Sequence, residues 1–488
     1  MLLLAGLLIA GCLPIPDVRL ELSLPTADYR VAPEDTVTQY VELPGYPEPH
    51  TPDELNRALY LRYYHQDDVA DTVLVLVPGL SGGAMSLDIV ARSLVAAIPG
   101  LEVWAVDRRS NLLEDRAAAI ESLKRRDPMI AYDYYVENKG TSEGFQKLDA
   151  DELRFMAHWG LEVHLKDLHE IVKRAGSAAE TVVLGGHSLG ASMVAFYAAF
   201  DFGGDERVAP GYENIDGLML IDGAPGRTGA FEMERIGIGP IALLPSRQAL
   251  LDGRGRPYLV WTRSPEFFAR AEAGALLARF APDELSPGGF VDYPATNRAV
   301  LGILGDDHYA HTPVFSASLG RAVGADYSGN LTAVLLSGSL GFTSRSVSGV
   351  ADGYEYVDWA RGDPEREVTD IDAFARAFVG MESNFGEWYF PVRLLLDIAE
   401  LDVALTDQAR FVPAGQVTTP TLAIGTRRGL ITSLDGFSAY MNSRPGAPFS
   451  SYILPGLTHF DVVTAAENPL VPLFQAWHGN LHQLANRQ

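Results

Sequence analysis

The sequence predicts an α/β fold: a mostly parallel central sheet covered by helices, with a large cap insertion. Three observations predict it. Short apolar runs closed by glycine, proline or aspartate recur along the chain, helical segments separate them, and one long stretch breaks the rhythm. Strand and helix in alternation argue for parallel strands joined by helical crossovers.

Alternating apolar residues at 18–24 (VRLELSL) and 58–64 (ALYLRYY) read as half-buried strands. TVLVLV at 72–77 is apolar throughout and closes on Pro78-Gly79, as expected of a strand buried on both faces. The same pattern returns at 102–106, 181–184, 217–221, 421–424 and 451–454. Helices are expected over 86–97, 151–174, 188–200 and 469–484. Between 226 and 415 aromatics, glycine and proline crowd together, and only 265–280, 371–381 and 388–405 read as helical. A stretch of about 190 residues exceeds any loop, so it is expected to form a subdomain. The expected organisation is therefore 1–17 signal and tether, 18–225 first part of the core, 226–415 cap, and 416–488 second part of the core.

Composition is that of an ordinary globular protein, with 47% hydrophobic and 21% charged residues. A formal net charge of −25 repels phosphate backbones and excludes nucleic acid as an expected partner. The opening run MLLLAGLLIAGC is too short to span a bilayer, which takes about 20 apolar residues. It suits the apolar part of a secretory signal. Ile9-Ala10-Gly11-Cys12 resembles a bacterial lipobox, which implies cleavage before Cys12 and a lipid on its sulfur. The expected location is outside the cytoplasm, anchored to the bacterial membrane. Cys12 is the only cysteine, so no intrachain disulfide, cysteine nucleophile or thiolate metal site can exist.

Gly186-His187-Ser188-Leu189-Gly190 follows a buried strand and precedes a helix. That setting turns a short pattern into a nucleophile elbow, where a tight turn lifts the serine oxygen above the sheet. The N–H groups opening the next helix favour an oxyanion. On these residues the chain resembles the α/β-hydrolase family, in its serine esterase and lipase branches. The resemblance implies Ser188 as nucleophile and the backbone N–H groups of Leu80 and Leu189 as the oxyanion hole. Among the 11 histidines, His459 follows the last strand and a turn, and is the expected base. The acid stays open between two residues. The family usually places it after the strand at 421–424, where this chain has Arg428. Asp222 closes the preceding strand and is the first choice; Asp435 is the other. Asp461 is read as structural.

The resemblance implies a Ser-His-Asp acyl-enzyme mechanism on a small-molecule or lipid ester, with no cofactor. The Asp306-Asp307-His308-Tyr309-Ala310-His311 run invites a metal reading but has no further spaced ligands, so no metal is expected. Alternatives are a lipid acyltransferase and a non-catalytic lipoprotein that binds a partner on the same fold.

Overall fold

The computed structural model describes residues 28–203, 208–225, 244–260, 264–309, 316–327, 347–406 and 408–481. The expected signal, tether and strand at 18–24 lie outside these residues, as does His311.

Eight strands build one sheet: β1 (Val37–Pro44), β2 (Arg57–Tyr64), β3 (Thr72–Val77), β4 (Leu101–Asp107), β5 (Thr181–His187), β6 (Gly217–Ile221), β7 (Thr421–Arg428) and β8 (Phe449–Thr458). Their order is β1-β2-β4-β3-β5-β6-β7-β8. β2 runs antiparallel to both its neighbours, β1 and β4, and the six strands from β3 onward are mutually parallel. This is the mostly parallel, helix-covered sheet that the sequence predicts. From β3 the chain winds outward to β4, then crosses back to β5 on the other side of β3. The direction of winding therefore reverses between β3 and β5, and loops leaving their carboxyl ends diverge to open a crevice.

The helices of eight residues or more are α1 (Asp88–Ala97), α2 (Ala117–Arg125), α3 (Leu161–Gly176), α4 (Leu189–Ala199), α5 (Pro265–Phe280), α6 (Asn297–Gly305), α7 (Ile371–Phe378), α8 (Val392–Glu400), α9 (Asp435–Asn442) and α10 (Leu470–His478) among the described residues. Strand side chains alternate between faces. Accordingly Val73, Val75 and Val77 join one apolar cluster with α3, α4 and α8, while Leu74 and Leu76 join another with α1 and α10. Helix α4 lies inside the first cluster with every residue buried, which explains why its sequence has no polar stripe.

Between β6 and β7 the described residues add no strand to this sheet. They form α5 to α8 and two short ribbons, Arg321–Val323 with Asp358–Ala360 and Ala325–Asp326 with Gly349–Val350. Two packing features cross the boundaries drawn from sequence. Apolar residues from 118–163 share one cluster with residues from 258–389; Tyr135 and Phe145 stand edge-on to Trp388 at 5.8 and 5.4 Å. Conversely, Leu394, Leu395 and Ile398 of α8 pack with the sheet.

The long helix expected over 151–174 starts only at Leu161, after a separate turn at Arg154–His158. Gly160 is extended there (φ −86°, ψ −172°), and a Cβ on it would meet Asp397 Oδ2 at 2.1 Å. That carboxylate accepts the Leu161 N–H at 3.0 Å, taking the place of a helical turn before it. Helices α7 and α8 are likewise shorter than their apolar patterns. Among the described residues no helix is long and apolar enough to cross a membrane.

Candidate active site

Ser188 sits between β5 and α4 with φ 57° and ψ −122°, a region side-chain-bearing residues rarely occupy. Its N–H donates to Ile221 O at 2.8 Å, fixing the turn to the end of β6. The flanking glycines are steric requirements: a Cβ on Gly186 would meet Gly190 O at 2.2 Å, and one on Gly190 would meet Val77 O at 2.1 Å. Close approach of β3, the elbow and α4 is therefore written into the G-x-S-x-G pattern. Gly79 follows the same logic, since a Cβ there would lie 2.8 Å from the Ser188 Cβ and 3.3 Å from its Oγ. Leu189 opens α4, and Leu80 follows Gly79, so the two N–H groups expected to meet an oxyanion lie on the segments flanking Ser188.

Asp222 closes β6 in a left-handed conformation (φ 43°), which aspartate tolerates better than most residues. His459 follows β8, and its Nδ1–H donates to Asp222 Oδ2 at 2.6 Å. The Asp222 carboxylate also accepts the backbone N–H groups of Thr426 at 3.1 Å, Leu430 at 2.9 Å and Ile431 at 3.0 Å. A Cβ on Gly429 would strike Asp222 Oδ2 at 2.1 Å, so glycine lets this loop close around the carboxylate. The loop after β7 thus wraps the acid on the neighbouring strand. Arg428 points elsewhere: it donates to Gly456 O at 2.9 Å and pairs with Asp307. Asp435 is exposed in the first turn of α9, whose N-cap is Leu434. Of the two candidate acids, the structure brings Asp222 and not Asp435 to the imidazole. Ser188, Asp222 and His459 are 6%, 0% and 1% exposed.

Two groups at the site carried no role in the sequence reading. His187, the residue before the serine, donates from Nε2 to His459 O at 2.9 Å and stacks on the His459 ring at 4.4 Å. Burial holds its pKa well below the usual histidine range, so the ring is neutral. The motif marked its position but gave no partner. Arg108 is the second. Its guanidinium donates to three carbonyls of the 78–83 loop, Pro78 at 2.7 Å, Gly79 at 3.2 Å and Gly82 at 3.3 Å. It pairs with Glu387 at 2.7 Å, both side chains being buried. Glu387 N donates to Ser81 O at 2.9 Å, and Gly83 N to Phe385 O at 2.8 Å. Cap segment 385–387 therefore holds the loop of Leu80 from one side while Arg108 holds it from beneath. Burial raises the pKa of Glu387 against the lowering influence of Arg108. The only sequence signal was the Asp107-Arg108-Arg109 run closing β4; Glu387 had none.

Asp461 is buried and accepts from Thr458 N at 2.9 Å, Ser318 N at 2.8 Å, Ser318 Oγ at 2.9 Å and Thr369 Oγ1 at 3.0 Å. It fastens the cap to the turn that carries His459. His164 of α3 is buried, donating from Nδ1 to Gly160 O at 2.8 Å. Desolvation pushes its pKa down to about 3. Among the described residues two groups of side chains could hold a metal ion, Glu48 with His50 and His158, and Asp306 with Asp307, His308 and Glu367. Neither includes Ser188, Asp222 or His459.

No protein-family model matches the sequence, and no curated protein resembles it in sequence. Solved structures align over most of its length, with TM-scores below 0.5. A candidate lipase from Sulfolobus solfataricus is 17% identical with a TM-score of 0.49, covering 91% of this chain and 95% of its own. A thermophilic esterase from Thermogutta terrifontis is 12% identical with a TM-score of 0.38, covering 91% and 99%. A peroxisomal alpha-beta-hydrolase from Saccharomyces cerevisiae is 10% identical with a TM-score of 0.38, covering 92% and 89%. Identities this low carry no information about substrate.

Proposed function

We propose that the chain is a serine hydrolase that cleaves carboxylic esters through an acyl-enzyme. The observation that carries this reading is the 2.6 Å hydrogen bond from His459 Nδ1 to Asp222, beside an elbow that holds Ser188 at φ 57°. Asp222 fixes the imidazole tautomer that leaves Nε2 as the acceptor and stabilises the imidazolium once it forms. His459 then takes the Ser188 proton as Oγ attacks the ester carbonyl. The N–H groups of Leu80 and Leu189 receive the developing oxyanion. His459 returns the proton to the leaving alcohol. Water, deprotonated by His459, attacks the acyl carbon and releases Ser188. No step requires a cofactor.

An apolar acyl or alcohol group is the proposed substrate feature. Part of the cap's aromatic content is spent on a packed core shared with residues 118–163, as Trp388 packs against Tyr135 and Phe145. Phe460 is different: it is half-buried, 5.7 Å from the His459 ring and 5.5 Å from Phe385. Export and lipid anchoring through Cys12 belong to the same proposal and rest on the opening segment.

A fluorophosphonate probe tests the reading, because it labels only an activated serine. The wild type is expected to be labelled and to hydrolyse p-nitrophenyl esters. Ser188→Ala is expected to be unlabelled and inactive with an unchanged unfolding curve. An unlabelled wild type would instead favour a non-catalytic binding protein of this fold. A full turnover rate in Ser188→Ala would remove the serine from the mechanism. Transfer of the acyl group to an added lipid alcohol in preference to water would favour the acyltransferase.

A further inference from the structure

Beyond the hydrolase reading, a second cluster of reactive side chains lies where the cap meets the core. Asp306 is fully buried just after α6. Its Oδ2 accepts Leu319 N at 2.8 Å and Gly320 N at 3.3 Å; its Oδ1 accepts His308 N at 2.9 Å and His308 Nδ1 at 3.0 Å. The same imidazole nitrogen lies 3.6 Å from Asp307 Oδ1 and 4.0 Å from Glu367 Oε1. One ligand atom from each of the four residues falls within 4.8 Å of all the others.

Two oxygens in this cluster lack a partner. Asp307 Oδ1 and Glu367 Oε2 are buried and accept no hydrogen bond from a described residue. The Glu367 side chain is only 5% exposed. A buried carboxylate oxygen without a donor is unfavourable unless a proton or a cation meets it. The neighbouring guanidinium groups approach the other oxygens of these two carboxylates. Arg428 and Arg366 approach Asp307 Oδ2, and Arg366 Nε stays 3.6 Å from Glu367 Oε1.

We propose that Asp306, Asp307, His308 and Glu367 form a structural site for a first-row divalent cation of the zinc type. Three carboxylates and one imidazole suit such an ion, whereas calcium and magnesium favour oxygen donors throughout. Binding requires His308 Nδ1 to give up its proton and act as a lone-pair donor. Glu367 comes from a segment 59 residues beyond His308 in number, so the ion joins two parts of the cap. Both parts reach the His459 turn. Arg428 links Asp307 to Gly456 O, and Thr369, two residues after Glu367, donates to Asp461. The ion would fasten the cap to the turn carrying His459 without touching the reacting atoms.

The test uses the purified full chain, stripped with EDTA and titrated separately with zinc, manganese and calcium chlorides by calorimetry, with elemental analysis for stoichiometry. One zinc per chain is expected, and zinc should raise the melting temperature. Glu367→Gln and His308→Asn should each bind at least about tenfold more weakly, and Ser188→Ala should bind as the wild type does. Two variants on separate segments keep the result decisive if one fails to fold. The proposal is overturned if no cation binds stoichiometrically. Preference for calcium, or binding unchanged in both variants, would also overturn it. So would loss of zinc on His158→Asn alone, which would place the ion with Glu48 and His50 instead.

Discussion

Replacing Asp222 by asparagine keeps the side chain's shape and removes one acceptor. The carboxylate meets four donors: Oδ2 takes His459 Nδ1 at 2.6 Å and Leu430 N at 2.9 Å, and Oδ1 takes Thr426 N at 3.1 Å and Ile431 N at 3.0 Å. An amide has one oxygen, so in either orientation its NH2 faces two of those donors. With NH2 toward Thr426 and Ile431, two buried N–H groups lose their acceptor. At about 1–3 kcal/mol each, stability falls by about 2–6 kcal/mol. With NH2 toward His459, the imidazole must accept at Nδ1, carry its proton on Nε2 and forfeit its role as base. A loss of about 10⁴ in kcat follows, or about 5 kcal/mol on the barrier. The assay pairs urea unfolding with steady-state hydrolysis of p-nitrophenyl butyrate. Since Asp222 is buried behind the imidazole, KM should stay within about threefold. Asp435→Asn, at an exposed position, should keep full activity. A kcat for Asp222→Asn within about threefold of wild type together with unchanged stability in urea would refute the reasoning, and a dead Asp435→Asn would move the acid to α9.

Three further outcomes are expected. Glu387→Gln leaves the buried Arg108 charge unpaired beneath the 78–83 loop; it should lose about 3–5 kcal/mol of stability in urea, and survival of full stability would deny the pair its role. His164 has a folded pKa of about 3 against 6.5 when free, so the unfolded chain binds its proton first and stability drains away as pH falls from about 6.5. Asp107 and Asp167, each raised to about 6 by burial, act in the opposite sense but equally in both proteins. The stability of wild type minus that of His164→Gln should therefore fall by about 1.4 kcal/mol per pH unit between pH 6 and 4 in chemical denaturation, and a flat difference would contradict it. Cys12→Ser should leave the protein unlipidated and extractable from membranes without detergent, a result checked by fractionation and mass spectrometry of the N-terminus; an unmodified Met1 start in the wild type would end the anchor proposal.

Much of the architecture could be read before any coordinates. The apolar runs at 72–77, 181–184 and 217–221 fall on β3, β5 and β6, and the alternation of strand and helix gives the parallel sheet. These features are local: burial on both faces leaves no polar position in a strand, and the elbow's glycines are demanded by atoms a few residues away or on the adjoining strand. Helix limits were less legible. Apolar spacing continues through 151–160, but the extended Gly160 and the Asp397 carboxylate, more than 200 residues later, stop the helix there.

What the sequence alone determined is the order of strands and helices, the elbow at Ser188 and the histidine after the last strand, because each follows from a pattern a few residues long. Tertiary structure decided the rest. It brought Asp222 rather than Asp435 to His459, because β6 and β7 are neighbours and the backbone after β7 closes on the β6 carboxylate. It also placed Glu387 against Arg108 and Glu367 against His308. A buried charge needs a partner wherever the chain can supply one, and the distance in sequence to that partner is set by the fold and by nothing in the local pattern.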